Sequence, residues 1–468
     1  MIDVHSFVVA RFDRARAALG TDVDAAWLAA LRAVFGLTMC VSMLRFIAYG
    51  WIDDFWVRPR FHFKYWGFAF VEPLSPSLMH ALFWGLAALA LAMAVGFFAR
   101  WAGALFLLGF AYVQLLDVTT YLNHYYLAAL LTALLVVSPA PRVWALDRKL
   151  GLTKAGLART RVSAKWLWLF RFQVGVVYTY AGFAKANADW LVHAQPLRIW
   201  LGSRTGMPVL GPLFRLEGAP LAMSWCGFLF DTFVVWFLLT RRTRPFAFVA
   251  VVVFHAMTRA LFPIGMFPFI MIGAALVFFE PSWPRWILAK VRLVSPRAEA
   301  AEAAAPTIAP RRAWGWALAA IYCVLQLALP ARFLAYGGDV RWHEQGMRWS
   351  WRVMVREKNG SITYVLRDKA TGRIWHLSPR KYLTPLQERE LQGQPDLILQ
   401  LAHHIRDDYA RRGTHLEVRV EAIVSLNGRR SAPLIDPDVD LASIPDGIAR
   451  ASWILPCPDD PPPHIRPI

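Results

Sequence analysis

The sequence predicts a mostly α-helical membrane protein: a transmembrane bundle of about nine helices, followed by a small β-rich α+β domain. Three observations predict it. The 468 residues are 57% hydrophobic with a mean hydropathy of +0.38, above the roughly 45–50% apolar content of an ordinary soluble chain. Apolar runs of roughly 20 residues, the length that crosses a hydrocarbon core, recur along the first 334 positions. Beyond residue 335 they give way to short segments with the alternation of strands.

The predicted membrane helices cover 24–50, 78–98, 101–121, 124–140, 166–186, 220–240, 246–261, 265–280 and 313–334. Tryptophan (22) and phenylalanine (31) are abundant, as expected where rings sit at membrane interfaces. Residues 297–313 are an Ala/Pro-rich linker on the cytoplasmic side. Trp349–Val355 and Ile362–Leu366 alternate and flank Asn359-Gly360, which predicts a hairpin turning at that dipeptide. Residues 384–412 read as one or two amphipathic helices, and His415–Leu426 as a strand. The expected division is 1–334 for the membrane domain and 335–468 for the soluble one.

A formal charge of +19 raises nucleic acid as a partner, and its distribution argues against that. From Ala335 onward there are 19 Lys/Arg against 17 Asp/Glu, so nearly all of the excess lies in the membrane part. It falls in alternate loops: Arg11, Arg14 and Arg16; Arg100; Arg142 to Lys165; Arg241, Arg242 and Arg244; Arg285 to Arg312. The positive-inside rule makes that side cytoplasmic, and nine spans then put the C-terminal domain outside. The loop at 51–77 resists the pattern, because it should face outward yet carries Arg58, Arg60 and Lys64. It either folds back onto the bundle or serves as an interfacial anchor. The four cysteines show no CxxC or metal-type spacing and predict no disulfide framework. The N-terminus is charged and amphipathic, unlike a cleavable signal peptide.

Ionisable groups at membrane depth are costly, and so are functional candidates. Lys185 closes the fifth span. It is either a snorkelling lysine beside Asp189 and Trp190 or a desolvated amine able to act as a base. Asn123 and His124 open the fourth span, on the same expected face as Lys185. His255 lies within the seventh and needs a partner for its ring N–H. Taken alone, each histidine reads more readily as a structural hydrogen-bonding group. Asp231 and Arg32 are expected to pair with each other or with Arg171 as structural glue. No HxxxH or HExxH spacing supports a metal or haem site.

These same stretches resemble the vitamin K-dependent γ-glutamyl carboxylases of the HTTM membrane family. LLDVTTYLNHYYL (115–127) is similar to the family's Leu-Leu-Asp…Asn-His…Tyr-Leu stretch. RFQVGVVYTYAGFAKANADW (171–190) resembles its Arg-x-Gln…Ala-Gly…Lys…Asp-Trp segment. FHAMTRALFPIGMFPF (254–269) resembles its Phe-His…Ile-Gly-Met-Phe segment, and PSWPR (281–285) follows. In the soluble part SWRVMV, SLNGRR, IDPDVDL and RASWILP also match, so the similarity runs from about residue 25 to 456. The resemblance implies that Lys185 is the catalytic lysine, with Asn123, His124 and His255 as further site residues. It implies a reduced vitamin K quinol as co-substrate, oxidised by O2 to the epoxide while CO2 is added to a peptide glutamate, with no metal and no biotin. The partners it implies are a glutamate-containing peptide or protein and the lipid bilayer.

Two departures bear on the substrate. The chain stops near residue 468, short of the long C-terminal extension of the animal enzymes. Ala184 stands where the animal form has a second lysine. The composition suggests a bacterial inner membrane. A quinol-dependent oxidase or epoxidase without peptide carboxylation, and a non-enzymatic membrane scaffold, are the alternatives.

Overall fold

The computed structural model describes residues 19–152, 160–291 and 314–463; the predicted linker at 297–313 and most of the basic N-terminus lie outside them. Ten helices of eight or more residues build the first part. They are α1 (Ala26–Ala48), α2 (Pro76–Val95), α3 (Ala99–Leu116), α4 (Asn123–Val137), α5 (Ala164–Lys185), α6 (Ala219–Leu239), α7 (Arg244–Leu261), α8 (Phe267–Ala275), α9 (Trp283–Lys290) and α10 (Trp314–Ala331). Every predicted membrane helix has its counterpart, but by length and apolarity six of them qualify as membrane spans. The predicted span at 265–280 is a short piece, α8 with one further turn, bent by 102° from α9. The pair counts as at most one broken span, with Pro281 in the break and Pro284 in the first turn of α9. Helix α4 has 15 residues, and α5 carries Lys165, Arg171 and Lys185.

The helices interlock in sequence order, α1 on α2, α2 on α3, α3 on α4, then α5 on α6 and α6 on α7. A two-stranded sheet of β1 (Asp22–Asp24) and β2 (Arg161–Ser163) ties the entry of α1 to that of α5. Helix α10 leans on the outside, held by Tyr180 Oη donating to Leu327 O (2.6 Å).

The second part is a four-stranded antiparallel sheet in the order β4 (Ile374–Leu377), β3 (Lys358–Asp368), β5 (Leu416–Leu426), β6 (Ala432–Pro433). Helices α11 (Pro385–Leu391) and α12 (Pro395–Ala410) precede β5. Alternate residues of β5, from Leu416 through Leu426, are buried against Leu397, Ile398, Leu401 and Ile405 of α12. Two amphipathic helices and the last strand therefore stand as predicted. The hairpin does not turn at Asn359-Gly360. That dipeptide lies inside β3, paired with Ser425 and Val424 of β5, and the turn of the β3–β4 hairpin falls at Lys369–Arg373. Gly360 is needed there for close approach, since a Cβ would meet Ile423 O at 2.8 Å. Trp349, Trp351 and Met354 all have positive φ, so the segment before it is no strand.

Contacts sort the loops of the bundle into two faces. On one face the soluble domain meets the loop after α1, the α3–α4 turn and the segment after α5. Gln387 Nε2 donates to Asp117 Oδ2 (2.8 Å), Gln400 and Lys64 exchange backbone–amide bonds (2.9 Å), and Trp349 N donates to Tyr121 Oη (2.7 Å). The cationic loop that resisted the charge pattern is neither folded on the bundle alone nor a free anchor. Its Trp56 and Val71 belong to the bundle core, and its Phe63 and Tyr65 to the core of the soluble domain. On the other face the basic loops bond among themselves, with Arg285 on Asp24 (2.8 Å) and Phe98 N on Asp147 (2.9 Å).

Candidate active site

Lys185 is the last residue of α5 and is only 5% exposed. Its Nζ donates to Asp231 Oδ2 at 2.6 Å and to Ala181 O at 3.2 Å, and it lies 5.3 Å from the ring centre of Trp190. Asp231 sits within α6, also 5% exposed. Local sequence explains how the two meet. One turn before Lys185, Gly182 faces Thr232, and a Cβ there would lie 2.6 Å from Thr232 Oγ1 and 3.0 Å from its backbone. The missing side chain lets α5 and α6 close until a lysine on one reaches a carboxylate on the other. An isolated charge at this depth is expensive, and pairing removes most of that cost.

Asp231 is thus no partner of an arginine, and the expected glue takes another form. Arg32 donates to Ala140 O (2.7 Å), Val143 O (2.8 Å) and Trp144 O (3.0 Å). Arg171 donates to Val277 O (2.9 Å), Phe278 O (3.2 Å) and Phe279 O (3.3 Å). Both guanidiniums satisfy backbone carbonyls just beyond helix ends, groups that otherwise lack donors in an apolar medium.

His255 lies in the middle of α7, with Nε2 2.9 Å from Tyr178 Oη. Tyr178 precedes Lys185 by seven residues, two helical turns, and so shares its face of α5. The other ring nitrogen of His255, Nδ1, is buried without a hydrogen-bond partner. Phe254, Phe267 and Phe230 surround the ring at 5.4, 5.6 and 6.3 Å. His124, second residue of α4, likewise has a buried Nε2 with no partner, and its ring lies 6.0 Å from the same Phe267. Asn123 accepts from Tyr121 Oη (2.9 Å), which in turn accepts from Trp349 N of the soluble domain.

The sequence candidates therefore form a string rather than a hydrogen-bonded triad. His124 and His255 share Phe267, His255 is bonded to Tyr178, and Tyr178 shares its helix face with Lys185. Asn123 is set apart, on the side toward the soluble domain. Sequence reasoning missed Tyr178 as the partner of His255 and Asp231 as the partner of Lys185. The seven-residue spacing of Tyr178 and Lys185, and a lone carboxylate in the apolar run of α6, were the available signals.

Buried polar atoms without partners are rare and call for a reason. Two occur beside Phe267, His124 Nε2 and His255 Nδ1, with Phe230 and Phe254 also against the His255 ring. That mixture, apolar rings with a few unspent hydrogen-bonding atoms, suits an apolar aromatic molecule carrying oxygens.

A bundle of apolar helices capped on one face by a small antiparallel domain, with a paired lysine at the capped end of a helix, defines an integral multi-pass membrane protein with a built polar site near its domain boundary. The comparisons make this specific. Residues 21–283 match the HTTM domain, and residues 311–460 match the vitamin K-dependent gamma-carboxylase lumenal domain. No solved structure matches the chain. The chain belongs to the vitamin K-dependent gamma-carboxylase family of membrane proteins.

Proposed function

We propose that the protein is a quinol-dependent γ-glutamyl carboxylase in which Lys185 is the base. The reading rests on the family match and on one observation, the two hydrogen bonds of Nζ. A neutral lysine amine has two N–H bonds and one lone pair. Ala181 O and Asp231 Oδ2 take the two N–H bonds, which leaves the lone pair for an incoming proton. Once Nζ takes that proton, Asp231 balances the charge at 2.6 Å, so no lone cation is left among apolar side chains. The bound vitamin K hydroquinone would supply the reducing equivalents which, with O2, generate a base strong enough to remove a glutamate γ-proton before CO2 adds.

His255, held by Tyr178, and His124 would present their unspent nitrogens to the quinol oxygens. Asn123 would orient the α3–α4 turn against the soluble domain. The apolar bundle excludes water, which a strongly basic reaction requires. The glutamate-bearing peptide would approach from the side of the soluble domain. The basic face opposite it fits the cytoplasmic side of a bacterial inner membrane, so that residues 335–468 lie outside the cytoplasm and residues 1–334 form the membrane domain.

The test is incorporation of labelled CO2 into a short glutamate-containing peptide by the purified protein, given vitamin K hydroquinone and air. Labelled peptide from the natural chain and none from Lys185→Ala is the expected result. Quinol consumed to epoxide without labelled peptide would replace the carboxylase reading with a quinol oxidase. Label retained in Lys185→Ala would remove the lysine from its role.

A further inference from the structure

The soluble domain reaches toward Lys185 through one residue. Asp189, four positions beyond the base, is 3% exposed and accepts three side-chain hydrogen bonds besides one ion pair. Arg429 Nη2 donates to Oδ1 (2.6 Å), and Arg429 Nη1 and Asn427 Nδ2 donate to Oδ2 (2.7 Å each). Arg341 Nη1 lies 3.0 Å from Oδ2. All three donor residues belong to the soluble domain. Burial works against the charge on Asp189, yet the Arg429 hydrogen bonds and the Arg341 charge outweigh it and hold the carboxyl below the usual carboxylate range.

The connection from Asp189 to Nζ is short and runs along two routes. Along the chain, Asn187 N donates to Lys185 O (2.8 Å), and Asn187 Oδ1 accepts from Trp190 N (3.2 Å) and from Arg341 Nη1 (2.7 Å). Across the helices, the Trp190 ring packs on Nζ, and Trp190 Nε1 donates to Ser224 O (2.8 Å). Ser224 Oγ donates back to Trp190 O. Ser224 lies two turns before Asp231 on α6. The same tryptophan is thus fastened to the segment that carries the base and to the helix that carries its carboxylate.

The two domains are also joined at places away from this cluster. Trp200 Nε1 on Glu357 (2.7 Å), Gln387 on Asp117, Gln400 on Lys64 and the Tyr65–Trp349 stack (5.7 Å) join the domains elsewhere. A buried carboxylate with three hydrogen bonds and a further ion pair exceeds what attachment alone requires at a junction already held at four other places. We propose that Arg429 and Arg341 are positioning residues that, through Asp189 and Trp190, hold Lys185 Nζ on Asp231 in its working geometry. The proposal rests on the reading of Lys185 as the base. A small displacement of a reacting group is enough to cost about 100-fold in rate.

The experiment measures two things on the full chain in detergent. One is the rate at which acetic anhydride acylates Lys185, read by mass spectrometry against exposed Lys290 as the internal standard. The other is kcat and KM for quinol and peptide. In Arg429→Ala the Lys185:Lys290 labelling ratio is expected to rise several-fold, and kcat to fall by about 100-fold with little change in KM. Arg429→Lys should restore part of both. Asn427→Ala, which removes one of the three hydrogen bonds, should shift both readouts in the same direction by less, and serves if Arg429→Ala does not fold. A folded Arg429→Ala or Arg341→Ala with natural labelling and natural kcat would overturn the proposal, as would lower thermal stability with both readouts unmoved. If the natural chain turns over no substrate, the carboxylase reading fails by itself. The labelling ratio still decides whether the soluble domain controls Lys185.

Discussion

Two buried lysines, one in each domain, have nearly the same surroundings and different unspent capacity. Lys185 at the end of α5 and Lys358 at the start of β3 are both shielded from solvent. Each has a carboxylate neighbour (Asp231 at 2.6 Å, Glu344 at 3.5 Å) and an indole ring (Trp190 at 5.3 Å, Trp342 at 5.7 Å). Lys358 Nζ, however, finds three acceptors: Trp342 O (2.7 Å), Gly393 O and Glu344 Oε1. An ammonium group has three N–H bonds, so this lysine is fully spent. Lys185 has only two acceptors. Burial and a counter-charge do not distinguish a structural lysine from a reactive one; the count of acceptors around Nζ does.

The largest effect should come from Lys185→Met. Loss of a positioned base costs about 100- to 10,000-fold in turnover, so kcat for quinol consumption should drop in that range while the variant still elutes as a folded monodisperse species. Lys358→Met should do the reverse. Removing one member of a buried pair costs about 3–5 kcal/mol, softened here because Glu344 keeps Arg356 (2.8 Å). Thermal unfolding should fall clearly, with turnover per folded molecule unchanged. A folded Lys358→Met without turnover would break the contrast between the two lysines.

Much of this architecture is legible in the sequence because membrane burial writes itself locally. Apolar length located the helices, and alternation located β5. Where position depended on a distant partner, the sequence was silent or misleading. Asn359-Gly360 has the composition of a turn, but the whole-length pairing of β3 with β5 overrides the dipeptide. The apolar run at 265–280 has the composition of a span, but its helix ends at Phe278 and the chain turns by 102° into α9. At the site, the candidates were legible as costly residues in apolar surroundings. Their partners were not, because Lys185 and Asp231 are 46 positions apart and meet where α5 and α6 approach closely at Gly182.

Gly182→Ala tests that approach directly. The added methyl would collide with Thr232, and over-packing of this kind costs about 1–3 kcal/mol. The stability loss should come with a fall in turnover, since separating α5 from α6 lengthens the Nζ–Oδ2 contact. Thr232→Ala in the same chain removes the Oγ1 that lies closest and should recover part of the activity. Stability loss with full turnover would show that the close packing serves the fold and not the base.

The smallest effect concerns pH and the buried amine of Lys358. Burial pulls its ammonium down to about 8, against the opposing charge of Glu344. The unfolded chain keeps the ordinary value of about 10.4. Between these values the unfolded state holds a proton that the folded state has released, so stability rises with pH through that window. Below pH 8 both states are charged and the full cost of charging a buried amine is present. From pH 8 to 9 the gain is at most about 1.4 kcal/mol, the ceiling for one proton over one pH unit. Thermal unfolding of the full chain in detergent should therefore show a midpoint that climbs from pH 8 to 9, and Lys358→Met should lose that portion of the climb. An identical slope in the variant would mean that the three acceptors hold Lys358 charged throughout. Its difference from Lys185 would then rest on hydrogen-bond count alone, without any contribution from burial.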